Sequence, residues 1–307
     1  MKSNVKQSSR EAAFTIVELL TVMSIIVILI GLLVPALNQV KRYAYEVKQR
    51  AQLKSIDTAL ELFNSEFDGY PDSDAMDPDG VEYCGAMKLC EAVMGRDLMG
   101  FHPDSIFRSN GIGSLNNQLY PPQTGDPIAY NNSLSARKGP YLPLDNANAY
   151  QLRDLYTQTG PFSGENFVLC DVFRRVTHLT TGKKVGMPIL YYKANTARTQ
   201  HDYMDPRNPQ NIYDYRDNHN LVLLGKPFDS GPGVEPHRLA VDPSNPADGY
   251  RFYMNTTNDK VLMSSTAAVR PYRADTFILI SAGSDGEYGT PDDITNFDWR
   301  YREQPQN

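Results

Sequence analysis

An uninterrupted apolar run near the N-terminus, FTIVELLTVMSIIVILIGLLVPAL from Phe14 to Leu37, constrains this chain more than any other feature. As a helix its 24 residues would extend about 36 Å, enough to cross a bilayer core of roughly 30 Å. No charge falls between Leu19 and Leu37, and the thirteen residues before the run carry Lys2, Lys6 and Arg10 against Glu11. Basic residues before the run and a large domain after it predict a cytoplasmic N-terminus. A cleaved secretory signal has a shorter apolar region and a small-residue cleavage site behind it. Here the run passes into NQVKRYAYEVKQRAQLKSIDTALELF, where Val40, Ala44, Val47, Ala51, Ile56, Ala59, Leu60, Phe63 and Phe67 recur at spacings of three to five. That spacing predicts one long helix with a single apolar face, stopped by Asp68-Gly69-Tyr70-Pro71.

Glu18 is the one ionisable side chain between Phe14 and Lys41. An ionised carboxylate in a bilayer core costs a few kcal/mol, so such a residue calls for a positive partner. With the residues around it, Glu18 carries a resemblance. Ala13-Phe14-Thr15-Ile16-Val17-Glu18-Leu19 resembles the processing motif of type IV pilins and of the pseudopilins of type II secretion systems. The resemblance implies that a prepilin peptidase cuts between Ala13, where the family usually has glycine, and Phe14. It further implies that Phe14 is N-methylated and that Glu18 meets the amine of a neighbouring subunit's first residue. Pro35 falls where many members carry a helix-kinking proline.

Beyond this helix the 307 residues have an ordinary composition for a folded protein, 41% hydrophobic and 21% charged. The net charge of −6 gives no reason to expect nucleic acid. Residues 71–187 read as an irregular insertion rich in turn residues, with short helices at 86–99 and 148–157. Pro188–Lys193, Asn220–Leu224 and Thr276–Ser281 read as strands, with Tyr191 and Tyr192 alternating between core and surface. The expected fold is therefore α+β, a long N-terminal helix spine packed on a small antiparallel β-sheet, as in pilin-like domains. Its parts are a leader at 1–13, a transmembrane helix at 14–37, an amphipathic helix at 38–70, the insertion, and a sheet domain at 188–307. Cys84 and Cys90 could bridge a short loop in an oxidising compartment or remain buried thiols.

The last strand is followed by SAGSDGEYGTPDDI, residues 281–294. Four acids lie between Asp285 and Asp293, with Gly283, Gly286 and Gly289 at the turns, a set that can direct several oxygens at a calcium ion. The same residues also suit a plain turn followed by a capped helix start at Thr290. The loop resembles the calcium-binding C-terminal loop of major pseudopilins. That implies side-chain ligands from Asp285 and Asp293 and a carbonyl from Ala282, with Asp292 and Glu287 as further candidates.

Nothing points to an enzyme: no nucleophile elbow, P-loop, zinc motif or dinucleotide fingerprint occurs, and the five histidines are scattered. The resemblance implies a pseudopilin that polymerises with itself and with other pseudopilins into a periplasmic filament. Its implied partners are the prepilin peptidase, an inner-membrane assembly platform with its ATPase, and membrane lipid. The alternative is a type IV pilin of an adhesion, motility or DNA-uptake fibre. Pilins more often close the C-terminal loop with a disulfide, and no cysteine lies beyond Cys170. A third reading is an anchored binding protein that kept a pilin-like N-terminus, although no motif in the insertion points to a ligand.

Overall fold

The computed structural model describes residues 16–227, 235–240, 249–258 and 270–298. The leader and the processing residues Ala13 and Phe14 lie outside them. Two compact units are present, Met1–Ala44 and Tyr45–Asn307.

In the first unit the described residues belong to one helix, α1, which runs Ile16–Phe67 over 52 residues with Pro35 inside it. Its side chains from Ile16 to Ala44 are exposed. The polar residues in the apolar stretch are satisfied within the helix. The Thr21 hydroxyl bonds the Val17 and Glu18 carbonyls at 3.0 and 2.9 Å, and Ser24 bonds the Thr21 carbonyl at 2.8 Å. One long apolar helix of this kind is compatible with a single membrane span or a signal.

In the second unit α1 is buried along one face, including Gln49, Leu53, Ile56, Leu60 and Phe63. The apolar periodicity holds from Ile56 to Phe63, but Val47 and Ala51, expected on that face, are exposed, as are Val40 and Ala44 before them. Polar anchors take over at this end. Gln49 accepts from the Val172 N–H at 2.9 Å, and Gln52 donates to the Asn146 and Cys170 carbonyls at 3.0 and 2.9 Å. The helix stops because Asp68 takes a left-handed φ of 54°; the stop sits one residue before the glycine that suggested it.

A three-stranded antiparallel sheet packs on this helix. Its order is β5 (Leu190–Lys193), β6 (Phe277–Ser281), β7 (Ile294–Thr295), with Tyr191 opposite Leu279 and Ser281 opposite Ile294. Successive side chains of a strand point to opposite faces, and here both faces are covered. Tyr191, Phe277 and Leu279 join Leu53, Ile56 and Leu60 in one core cluster. Leu190, Tyr192, Ile278 and Ile280 join Phe252 and Tyr253 in another. Tyr191 and Tyr192, expected to divide between core and surface, therefore divide between two cores and are both buried.

The stretch 71–187 supplies much of the material that covers the sheet. Its α2, Gly85–Met94, is buried at every residue. Leu89, Cys90, Val93 and Met94 face the cluster shared with α1, and Ala86 and Met87 face the other. The charged residues of α2 are tolerated because each has partners. Lys88 donates to the Met76 carbonyl at 2.9 Å, and Glu91 accepts from the Tyr83, Ser105 and Tyr120 hydroxyls at 2.6, 2.6 and 3.2 Å. The helix ends at Gly95, where φ is 84° and an added Cβ would stand 2.0 Å from the Gly100 carbonyl oxygen. Two further helices, α3 (Pro127–Ala136) and α4 (Leu144–Ala147), lead to β1 (Ala149–Gln151) and α5 (Leu152–Leu155). The segment expected as a helix at 148–157 is thus part strand. β1 pairs with β2 (Phe167–Leu169), and β3 (Val176–Thr177) with β4 (Lys184–Val185), both antiparallel.

Residues Asn220–Leu224, expected as a strand, instead lie in and cap the helix α6, His219–Leu223. The preceding turn Tyr215–Asn218 is capped by the Asp214 side chain, which starts helical geometry just upstream. A last helix, α7, is Tyr250–Thr256. All three cysteines are buried and free, so Cys84 and Cys90 do not bridge.

Candidate functional site

Two regions carry the residues singled out in the sequence. Glu18 and Pro35 both lie on α1, in its first turn and within its apolar stretch respectively.

The second region is the loop after β6. It is built on a buried carboxyl from elsewhere in the chain. Ser281 donates to Asp171 at 3.0 Å, and the Gly283 N–H bonds back to Ser281 at 3.3 Å. Gly283, with φ of 65°, has its Cβ position 2.2 Å from the Asp292 carbonyl oxygen, so only glycine lets the two arms of the loop approach so closely. Across that approach, Asp292 Oδ2 accepts from the Ser284 hydroxyl at 2.8 Å and the Asp285 N–H at 3.0 Å, and its Oδ1 accepts from Thr290 at 2.6 Å. Asp285 accepts from the Glu287 N–H at 2.8 Å, and Asp293 from the Gly289 N–H at 2.8 Å. The region after Thr290 is turn and strand rather than the capped helix start weighed from sequence.

The electrostatics show crowding of like charge. Burial, and then the neighbouring Asp292, push the Asp285 carboxyl up to about 6. Burial opposes charge on Asp292 too, but hydrogen bonds from Asp285, Thr290 and Ser284 outweigh it and hold its pKa below the usual range. Burial raises Asp293 well above that range. Of the two carboxyls Asp285 is thus the one that takes up a proton more readily and Asp292 the one that keeps its charge, while Ala282 is buried beside them. Glu287 faces cations instead, Lys226 at 3.3 Å and Arg238 at 3.4 Å. Among the described residues no three His, Cys, Asp or Glu side chains converge as a group that could hold a metal.

The fold brings in residues that no motif marked. Arg175 donates to the Ser284 carbonyl at 2.6 Å, and His237 accepts from the Tyr288 N–H at 3.2 Å. His201 bonds the Tyr253 carbonyl region at 3.0 Å. His201 and His237, two of the histidines scattered along the sequence, are buried, which lowers them to about 4 and about 3 and keeps them neutral. Their sequence separation from the groups they touch leaves no local signal.

No family model matches this chain, and no curated protein or solved structure matches it.

Proposed function

We propose that this chain is a filament subunit of the pseudopilin kind, processed before Phe14, held in the inner membrane by α1, and assembled by packing of that helix among copies. The observation that carries the reading is α1 itself. From Ile16 to Leu37 it exposes apolar side chains, Glu18, and the hydroxyls of Thr21 and Ser24 that are satisfied within the helix, and the same helix continues, without a break, into the core of an α+β domain. In lipid the exposed half is solvated; in a bundle of copies it packs by close contact and a few polar links. The carboxylate of Glu18, paired with the Phe14 amine of the next copy, sets the axial register. The domain lies on the periplasmic side, and the filament serves protein export.

The C-terminal loop supports the secretion branch over an adhesive fibre. Its carboxyls are crowded enough to raise Asp285, and a divalent cation would relieve that crowding. Asp285 and Asp293 would hold calcium with the Ala282 carbonyl only if the loop drew together side chains that do not converge as a metal group among the described residues, and the ion would then neutralise the crowded carboxyls.

The deciding experiment is the mature N-terminus together with assembly in cells that carry the secretion machinery. N-terminal sequencing should find N-methylated Phe14. Glu18→Ala should insert at normal levels yet lose filaments. A mature protein that starts at Met1, or normal filaments from the variant, would refute the reading.

A further inference from the structure

Four cations of the second unit meet in one cleft of about 440 Å³. Lys48 comes from α1, Arg174 from the stretch between β2 and β3, and Lys183 and Lys184 from the hairpin that β3 and β4 form. All four side chains are exposed, and among the described residues none of them makes an ion pair. Lys184 reaches only the Thr177 hydroxyl, at 2.6 Å. Other cations of the unit are placed differently: Arg137 lies 2.7 Å from Asp97, Lys138 3.2 Å from Glu66 and Arg273 2.9 Å from Asp57. A single exposed lysine is simply solvated. Four like charges delivered to one cleft by three separate stretches repel one another, and it is the tertiary fold that holds them there.

The cleft itself supplies them little countercharge. Asp171 is its one carboxyl, and it is buried. The Asp171 oxygens accept from the Phe173 and Met187 N–H groups at 3.1 and 3.2 Å and from the Ser281 hydroxyl at 3.0 Å, while burial pushes the group up to about 8. Gly186 packs against this residue so closely that an added Cβ would stand 2.0 Å from the Asp171 carbonyl oxygen, so no side chain fits between them. Tyr150 lines the cleft half-buried, and its hydroxyl is a neutral donor. The buried Gln49 uses its Oε1 on the N–H of Val172, another lining residue, and leaves its Nε2 without a partner. Positive charge and donors therefore outnumber acceptors on this side of the unit.

We infer that this cleft is a binding site for a phosphate-bearing anion, held by Lys48, Arg174, Lys183 and Lys184. A cleft lined by one sign of charge focuses its field and concentrates counter-ions. A phosphoryl group presents several oxygens in tetrahedral directions, so it can take donors from α1, from the stretch before β3 and from the hairpin at once. A carboxylate has two oxygens in one plane and would leave part of the set unused. Arginine meets phosphate oxygens in pairs and lysine meets them as a point charge. The volume also leaves room for what the phosphoryl group is esterified to. Such a group belongs either to a free phosphate ester or to a phospholipid headgroup, and Lys48 follows Leu37, the last residue of the apolar run, by eleven positions on the same helix. The site needs the cleft and not assembly, so it stands apart from the filament reading.

The test titrates the full chain, in micelles of the nonionic detergent dodecyl maltoside, with glycerol phosphate and separately with dioctanoyl phosphatidylglycerol, read by calorimetry. Saturable binding is expected. Lys183→Gln with Lys184→Gln should weaken it about tenfold or more, and Lys48→Gln by a smaller factor. Lys54→Gln with Lys138→Gln removes the same charge outside the cleft and should leave binding unchanged. All five lysines are exposed, and the melting temperature checks that each variant folds. A second measurement needs no variant: saturating ligand should protect Lys183 and Lys184, but not Lys138, from acetylation read by mass spectrometry. Binding of glycerol phosphate that the cleft variants weaken supports a site for free phosphate esters. Binding of the lipid alone, weakened by the same variants, supports a headgroup site. No saturable heat from either ligand, binding that the cleft variants leave intact or the control pair weakens equally, or equal labelling of all lysines, overturns the site and leaves the filament reading standing. Loss of that reading, by an unprocessed N-terminus, leaves the site standing.

Discussion

Asp171 is a carboxyl that the fold buries without a cation. Its three hydrogen bonds favour the charged form, but desolvation outweighs them and pushes it up to about 8. The consequence for stability has a definite sign. In the unfolded chain the group loses its proton near pH 4, whereas the folded protein keeps it until about pH 8. More protons are bound in the folded state across that window, so stability falls as pH rises through it and levels off above. Asp171→Asn should flatten this slope and match or exceed wild type at pH 8, by up to a few kcal/mol. Urea unfolding of the full chain at pH 5 and pH 8 measures it, and an unchanged slope would remove Asp171 as the cause. Asp285, raised to about 6, yields a different expectation. Calcium must displace its proton, so affinity should weaken as pH drops below about 6. Calcium titrations at pH 5 and 7.5 with equal affinity would contradict that.

At the scale of elements, α1 separates stability from assembly along its length. Leu60 is buried against the sheet, and Leu60→Ala should cost about 2–5 kcal/mol. Val40 and Val47 continue the apolar pattern but are exposed in the isolated chain. Val40→Ala and Val47→Ala should change unfolding by no more than about 0.5 kcal/mol yet lower filament yield if copies cover that face. Denaturant midpoints and sheared-filament assays on the same variants distinguish the two effects. The clean apolar periodicity of α1 was legible from sequence because a 3.6-residue repeat records which side chains meet a neighbour. It does not record whether that neighbour is the same chain or another, which is why Val40 and Val47 were assigned to the domain's face. Asn220–Leu224 misled for a related reason: a short apolar run suits strand and helix equally, and the Asp214-capped turn before it decided for helix.

For the whole molecule, the C-terminal loop ties β6 and β7 to residues from most of the unit, through Asp171, Arg175 and His237. A cation there should stabilise the whole domain rather than the loop alone. Calcium at about a hundred times its Kd would add about 2.7 kcal/mol, read as a rise of several degrees in the melting temperature over chelator. Asp285→Ala should abolish that rise and leave the melting temperature in chelator nearly unchanged. Equal melting of wild type with and without calcium would dispose of the metal.

What this chain's sequence determines by itself is local and periodic: the lipid-length run, the single carboxylate within it, the helix that follows and the acid-rich loop. Each is written in consecutive residues or in a fixed repeat. Only the tertiary structure decided that α2, from the stretch read as irregular, is a core element, that both tyrosines of β5 are buried, and that four cations meet in one cleft. Those outcomes depend on contacts between residues far apart in the chain, which no local pattern encodes. Burial on two sides needs partners that arrive only when the chain closes on itself.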